Sequence, residues 1–286
     1  MPSEHSCPAA RARCTVCPHA CRPAEGTAGF CRSRTARDGR VIPEGYGRIT
    51  SLALDPIEKK PLARFMPGTR VLSLGSYGCN MHCPWCQNAS ISQAGADDVA
   101  WQKTTPQQLV DKALELKSRR CAGIAYTYNE PFVNIEFLED CARLAHENDL
   151  VNVVVSNGMV ETDALRRVLP LIDAANIDLK AFRSETYRLA GGDLDTVKRT
   201  IETIDACPTC HLEITWLVIP QLTDDDREFD EAVRWIAGLS PDIPLHVSRF
   251  FPRHQMLDRL PTDIRTVYAL TEQARAHLHH VFTGNC

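Results

Sequence analysis

The stretch Val71-Leu72-Ser73-Leu74-Gly75-Ser76-Tyr77-Gly78-Cys79-Asn80-Met81-His82-Cys83-Pro84-Trp85-Cys86 decides how this chain is read. An apolar, strand-like run leads into a loop whose three cysteines are separated by three residues and then by two. That spacing lets three thiolates from one loop reach three corners of an iron–sulfur cubane, whereas a fully protein-ligated cluster uses four. One iron would stay open, as catalytic metal sites do and structural ones do not. The same thiols would also suit a zinc site completed by a distant cysteine, or three small buried apolar groups.

Outward from this loop, strand-like runs alternate with helical patterns. Strands are expected at Val71–Leu74, Gly123–Tyr128, Val151–Ser156, Asn176–Leu179, Leu212–Ile219 and Leu245–Phe250. Thr105, Pro106 and Gln108 spell a capping box with proline at the first helical position. Further helices are expected through Ile135–His146, Ala164–Leu169, Val197–Ile204, Phe229–Ile236 and Ile264–Leu278. Six strand–helix units need parallel strands with right-handed crossovers, and they are fewer than the eight of a closed barrel. The expected fold is therefore α/β, a partial (β/α)6 TIM-like barrel over 69–286. Its chemistry belongs at the carboxyl ends of the strands, where the Cys79 loop begins. Residues 1–68, rich in Cys, Arg, Gly and Pro and without periodicity, read as a small cysteine-rich module.

Composition narrows the function. At 286 residues with a formal charge of −4 and interspersed charges, the chain offers no nucleic-acid-binding face. Met1-Pro2-Ser3-Glu4-His5 opens no signal peptide and no later run is long enough to span a bilayer, so a cytoplasmic location is expected. In that compartment thirteen cysteines are not a disulfide scaffold, and metal ligation is the expected use of the clustered ones. Cys121 and Cys141 read as buried thiols, and Cys207-Pro208-Thr209-Cys210 as incidental, because a redox motif would need a strand feeding a helix. His277, His279 and His280 at a helix end need no metal.

With Trp85 before its last cysteine, the loop resembles the signature of the radical SAM superfamily. The resemblance implies a 4Fe-4S cluster on Cys79, Cys83 and Cys86 that binds S-adenosylmethionine and cleaves it to a 5′-deoxyadenosyl radical. Tyr126-Thr127-Tyr128-Asn129-Glu130-Pro131 stands where the family carries Gly-Gly-Glu-Pro, with Tyr128-Asn129 replacing the glycines. Glu130 is then expected to bind the methionine amino group; its plainer use is to cap the following helix. Ser156-Asn157-Gly158 follows the third strand, and Asp178 and Lys180 share a face at the end of the fourth. By similarity to pyruvate formate-lyase activating enzymes, Asp178 would hold the ribose and Lys180 the carboxylate, unless the two are a surface pair. Trp85, Thr127, Asn129, Ser156 and Asn157 complete the implied cofactor-binding set. Val155 stands where activating enzymes often have Asp, and the run Arg249-Phe250-Phe251-Pro252 carries phenylalanine where relatives often have a ribose-contacting His; His246 and His254 are nearby.

A closer resemblance is to AmmeMemoRadiSam system radical SAM enzymes, carried by Cys14-Thr15-Val16-Cys17-Pro18-His19-Ala20-Cys21 with Gly26, Gly29 and Cys31, and by Asp55-Pro56-Ile57-Glu58-Lys59-Lys60-Pro61-Leu62 and Cys86-Gln87-Asn88. Tyr126–Pro131 and Ile177–Phe182 extend it. Longer relatives run on past a Gly-Asn pair, and a function lodged there is expected to be absent from a chain ending Gly284-Asn285-Cys286. Cys14, Cys17, Cys21 and Cys31 form a second candidate metal site, for structural zinc or an auxiliary iron–sulfur cluster, with His19 able to replace one thiolate and Cys7 spare. The expected function is hydrogen abstraction from a substrate, with a glycyl-radical-enzyme backbone as the leading class. The alternatives are radical modification of a small molecule or peptide, and a non-enzymatic iron–sulfur or zinc protein. The resemblance also implies an electron donor such as flavodoxin or ferredoxin.

Overall fold

The computed structural model describes residues 11–286, so Cys7 lies outside the described residues. A hairpin of β1 (Arg34–Arg37) and β2 (Arg40–Pro43) is followed by β3 (Arg48–Ile49), β4 (Ser51–Pro56) and β5 (Arg70–Gly75). Then come α1 (Ala89–Ser92), β6 (Gln102–Lys103), α2 (Pro106–Glu115), β7 (Cys121–Tyr126), α3 (Ile135–His146), β8 (Val151–Ser156), α4 (Thr162–Val168) and β9 (Ala174–Asp178). The chain closes with α5 (Ser184–Leu189), α6 (Leu194–Asp205), β10 (His211–Val218), α7 (Asp226–Leu239), β11 (Leu245–Arg249), α8 (Ile264–Arg275) and β12 (Val281–Gly284).

One sheet organises the molecule, in the order β12-β11-β10-β9-β8-β7-β5-β4. Every neighbouring pair from β5 to β12 is parallel, and β4 adds antiparallel to β5. The expected partial barrel is there, with two additions. β12 extends the parallel set beyond the six expected strands, and β4, which falls within the span assigned to the amino-terminal module, is a strand of the barrel's own sheet. The expected Gly123–Tyr128 strand stops at Tyr126 and the Asn176–Leu179 strand runs Ala174–Asp178, so Thr127–Glu130 and Lys180 lie in loops.

Alternation along the strands divides the core in two. Leu72, Ile124, Val154, Ala175 and Ile214 pack with helix residues such as Leu109, Ile135 and Val197. Val71, Ala125, Val153 and Ala174 turn to the other face, where Ile57 and Leu62 close over them. Helices thus cover one face of the sheet and the 57–62 turn fills the concave side, as a partial barrel requires. Gly123 permits the close pairing of β7 and β8: a Cβ there would stand 1.9 Å from the Val151 carbonyl oxygen.

Caps fix the helix starts. In α2 the Thr105 hydroxyl accepts from Gln108 N and the Gln108 side chain accepts from Thr105 N, at 3.2 and 2.9 Å. Asp193, Asp225 and Asp263 cap α6, α7 and α8. The amino-terminal segment is bound to the barrel by buried Arg34, whose guanidinium donates two 2.7 Å bonds to Glu136 of α3 and one to the Val133 carbonyl. Removing one partner of such a buried pair typically costs about 3–5 kcal/mol.

Candidate active site

The loop after β5 carries Cys79, Cys83 and Cys86, and its shape is set by neutral side chains. Asn129, in the loop after β7, accepts from Ser76 N (2.9 Å) and donates to the carbonyls of Tyr77 (3.3 Å) and Gly78 (2.9 Å). Gly78 has a φ of +82°, and a Cβ on it would meet the Cys31 carbonyl oxygen at 2.3 Å, so this position needs glycine.

Cys79 and Cys83 feel burial and the charge of their neighbours. Burial, then Glu130 and Cys83, push Cys79 well above its ordinary value. Burial raises Cys83 to about 11, against Lys180, which favours its thiolate, while Cys86 raises it. Cys79 Sγ accepts from Met81 N (3.3 Å) and Asn157 Nδ2 (3.4 Å), and Cys86 Sγ lies 3.2 Å from Ser92 Oγ. Among the described residues, no three His, Cys, Asp or Glu side chains crowd together as a single ion would need. Three thiolates on different irons stand farther apart than three on one ion. A sulfur-only set with N–H donors aimed at it, costly to ionise without a cation, fits an iron–sulfur cluster.

The other expected residues converge from the carboxyl ends of β7, β8 and β9. Glu130 is buried, and its carboxylate accepts from Phe132 N (3.1 Å), Ser156 Oγ (2.9 Å) and Asn157 N (2.9 Å). Burial pushes it up to about 7, against these three donors. It caps the short helix at Pro131–Asn134 and holds the 156–158 loop in place, and the pattern Glu-Pro alone did not reveal the second task. Asn157 is the link to the sulfurs, since its Nδ2 donates both to Cys79 Sγ and to Asn80 Oδ1 (2.9 Å).

Asp178 and Lys180 form an ion pair of 2.9 Å, half-hidden at the barrel mouth. The Lys180 backbone N–H donates to Tyr187 Oη at 3.1 Å. Burial opposes the Lys180 charge, but Asp178 and then the Cys83 thiol outweigh it and hold the amine above its ordinary value. Thr127 is buried and its N–H donates to the Leu74 carbonyl (2.9 Å), and Trp85 packs in the core. His246 Nε2 instead pairs with buried Glu213 of β10 at 2.6 Å, away from the cysteine loop. Asn80, Ser92 and Tyr187 belong to this neighbourhood but carried no motif that sequence could single out.

Cys14, Cys17, Cys21 and Cys31 also come together, lining one pocket with Phe30 and Arg34. His19 is turned elsewhere, its Nε2 2.9 Å from the Asn80 carbonyl oxygen and its ring stacked on Phe30, which stacks in turn on His82. Cys207 and Cys210 sit between α6 and β10, and the Cys207 thiol lies 3.4 Å from Thr209 Oγ1. Among the described residues no helix is long and apolar enough to cross a membrane.

Comparison with known proteins agrees with this geometry. The model of the radical SAM superfamily matches residues 74–236. An uncharacterized protein of Methanocaldococcus jannaschii is 37% identical over 285 residues, spanning 96% of this chain and 81% of that one. An indoleacetate decarboxylase activating enzyme of Tractidigestivibacter scatoligenes is 24% identical over 57% of this chain and 52% of its own. The structure of Streptococcus suis SuiB bound to S-adenosylmethionine superposes with a TM-score of 0.56 at 12% identity, over 73% of this chain and 48% of that one.

Proposed function

The chain belongs to the radical SAM superfamily, and from that premise we propose that it abstracts a hydrogen atom from a protein substrate, a glycyl-radical-enzyme backbone being the leading candidate. Enzymes of this family use a 4Fe-4S cluster and S-adenosylmethionine. In this reading Cys79, Cys83 and Cys86 hold the cluster. When bound, the two cofactors supply one-electron cleavage of the sulfonium and hence the 5′-deoxyadenosyl radical. Lys180 receives the carboxylate of S-adenosylmethionine and Asp178 its ribose. Glu130 fixes the Ser156-Asn157 loop against Cys79, besides any contact of its own with the methionine amino group. A low-potential electron donor of the flavodoxin or ferredoxin class completes the set.

The observation that carries the protein-substrate reading is the loop after β11. It is tied to the cysteine loop by the Gln255 N–H, which donates to the Pro84 carbonyl at 2.9 Å, and it presents Leu257 and Leu260 at 70% and 80% exposure. Two bare leucines beside a radical site suit a protein surface. The name of the Tractidigestivibacter scatoligenes relative supports the same class. The test is isotopic: deuterium at the target carbon of a partner protein should be recovered in 5′-deoxyadenosine, and a glycyl partner should retain a stable carbon radical. Deuterium arriving only from a labelled small metabolite or free peptide would replace this reading with that alternative.

A further inference from the structure

We propose that Cys14, Cys17, Cys21 and Cys31 hold a second iron–sulfur centre, directly behind the cysteine loop of the first and joined to it through Asn80. All four thiols line one mostly apolar pocket, although Cys14 and Cys31 are seventeen residues apart in the chain. An N–H donor is aimed at one of them: Phe30 N donates to Cys21 Sγ at 3.4 Å. Donors of this kind stabilise sulfur that carries negative charge.

Arg34 supplies an independent pointer. Its side chain is 7% exposed and lines the pocket, and its terminal nitrogens are satisfied by Glu136 and Val133. Its Nε, however, is buried without a hydrogen-bond partner. Leaving such a donor unpaired is costly, and a cluster's sulfur or a ligating thiolate beside it would accept the bond. Cys14 and Cys31 both lie near enough to act on the guanidinium's charge.

An all-sulfur quartet suits zinc or an iron–sulfur cluster, and a chain already loaded with iron and sulfide for its first cluster favours the latter. Four thiolates on one zinc sit ~3.8 Å apart, given ~2.3 Å Zn–S bonds in a tetrahedron. Among the described residues, no group of three or more His, Cys, Asp or Glu side chains is arranged to hold a single metal ion. Asn80 lies between the two cysteine-bearing segments. Its carbonyl oxygen is 2.9 Å from His19 Nε2, and its Oδ1 accepts from the Asn157 amide that donates to Cys79 Sγ. The stack of His19, Phe30 and His82 runs beside this path.

The test removes the first cluster instead of the second. Full-length protein with Cys79→Ala, Cys83→Ala and Cys86→Ala, reconstituted anaerobically, should keep roughly a third to a half of the wild-type iron, with matching sulfide and a visible sulfur-to-iron absorption band. Adding Cys17→Ser and Cys31→Ser should remove all three signals. Iron-free protein after loss of the triad overturns the proposal, and so does zinc bound in place of iron and sulfide. Iron that survives replacement of all five cysteines overturns it as well. The triad variant decides the matter even if the quartet variants fold poorly.

Discussion

Replacing Lys180 with Met keeps the length of the side chain and removes its charge. In the structure that ammonium is paired with Asp178 at 2.9 Å, its side chain is 17% exposed, and its backbone is anchored on Tyr187. A charge-assisted hydrogen bond to a carboxylate in such a place is worth about 1.5–3 kcal/mol. At about 1.4 kcal/mol per decade, that is a weakening of S-adenosylmethionine binding by roughly ten- to a hundredfold. Partial solvent access favours the lower end of this range. Lys180 lies beside Cys83 without ligating metal, so iron content should hold. The measurement is the dissociation constant of S-adenosylmethionine on cluster-loaded protein, with iron determined on the same sample. An unchanged constant at full iron content would reduce Lys180 and Asp178 to an ion pair with no part in binding.

Two further substitutions probe the scaffold. Asn129→Ala strips three bonds from the cysteine loop and should cost about 1–3 kcal/mol, read as a lower unfolding temperature and faster loss of iron to a chelator; wild-type iron retention would show that the clamp is dispensable. Glu213 is fully buried and accepts from His211, His246, Ala63 N and Arg64 N. Burial raises its pKa, but these four donors prevail and hold it at about 2. Because the folded carboxyl lies below its unfolded value, its stabilisation is complete above about pH 4.5 and is lost as pH falls toward 2. The full amount is on the order of 3 kcal/mol. Acid unfolding of cluster-free protein should therefore show this loss in the wild type and not in Glu213→Gln; identical profiles would contradict the assignment.

The fold was legible where burial follows a period. Val151–Ser156 and Ile135–His146 were bounded correctly because one is apolar nearly throughout and the other buries Ile135, Phe137, Leu138, Cys141, Ala142 and Ala145 on one side. β4 escaped because Leu52 and Ala53 are exposed, so no alternation marks the strand, and β12 because four residues after a helix carry too little pattern. At the site, cysteine spacing and strand-end position singled out Cys79, Asp178 and Lys180, which the fold brings to the carboxyl ends of neighbouring parallel strands. Sequence could not show that Asn129 braces the cysteine loop or that Asn80 lies between two sulfur sets. Amides carry no charge pattern, and the contact between His19 and Asn80 spans residues that only the folded chain brings together.

The central claim is that this chain makes a radical from S-adenosylmethionine at Cys79, Cys83 and Cys86. The measurement is product formation by anaerobically reconstituted protein with a strong reductant. The account predicts 5′-deoxyadenosine and methionine from the wild type, and loss of both the triad's cluster signal and the turnover in Cys83→Ala. Normal cleavage by Cys83→Ala, or no cleavage by wild-type protein carrying its full iron, would contradict it.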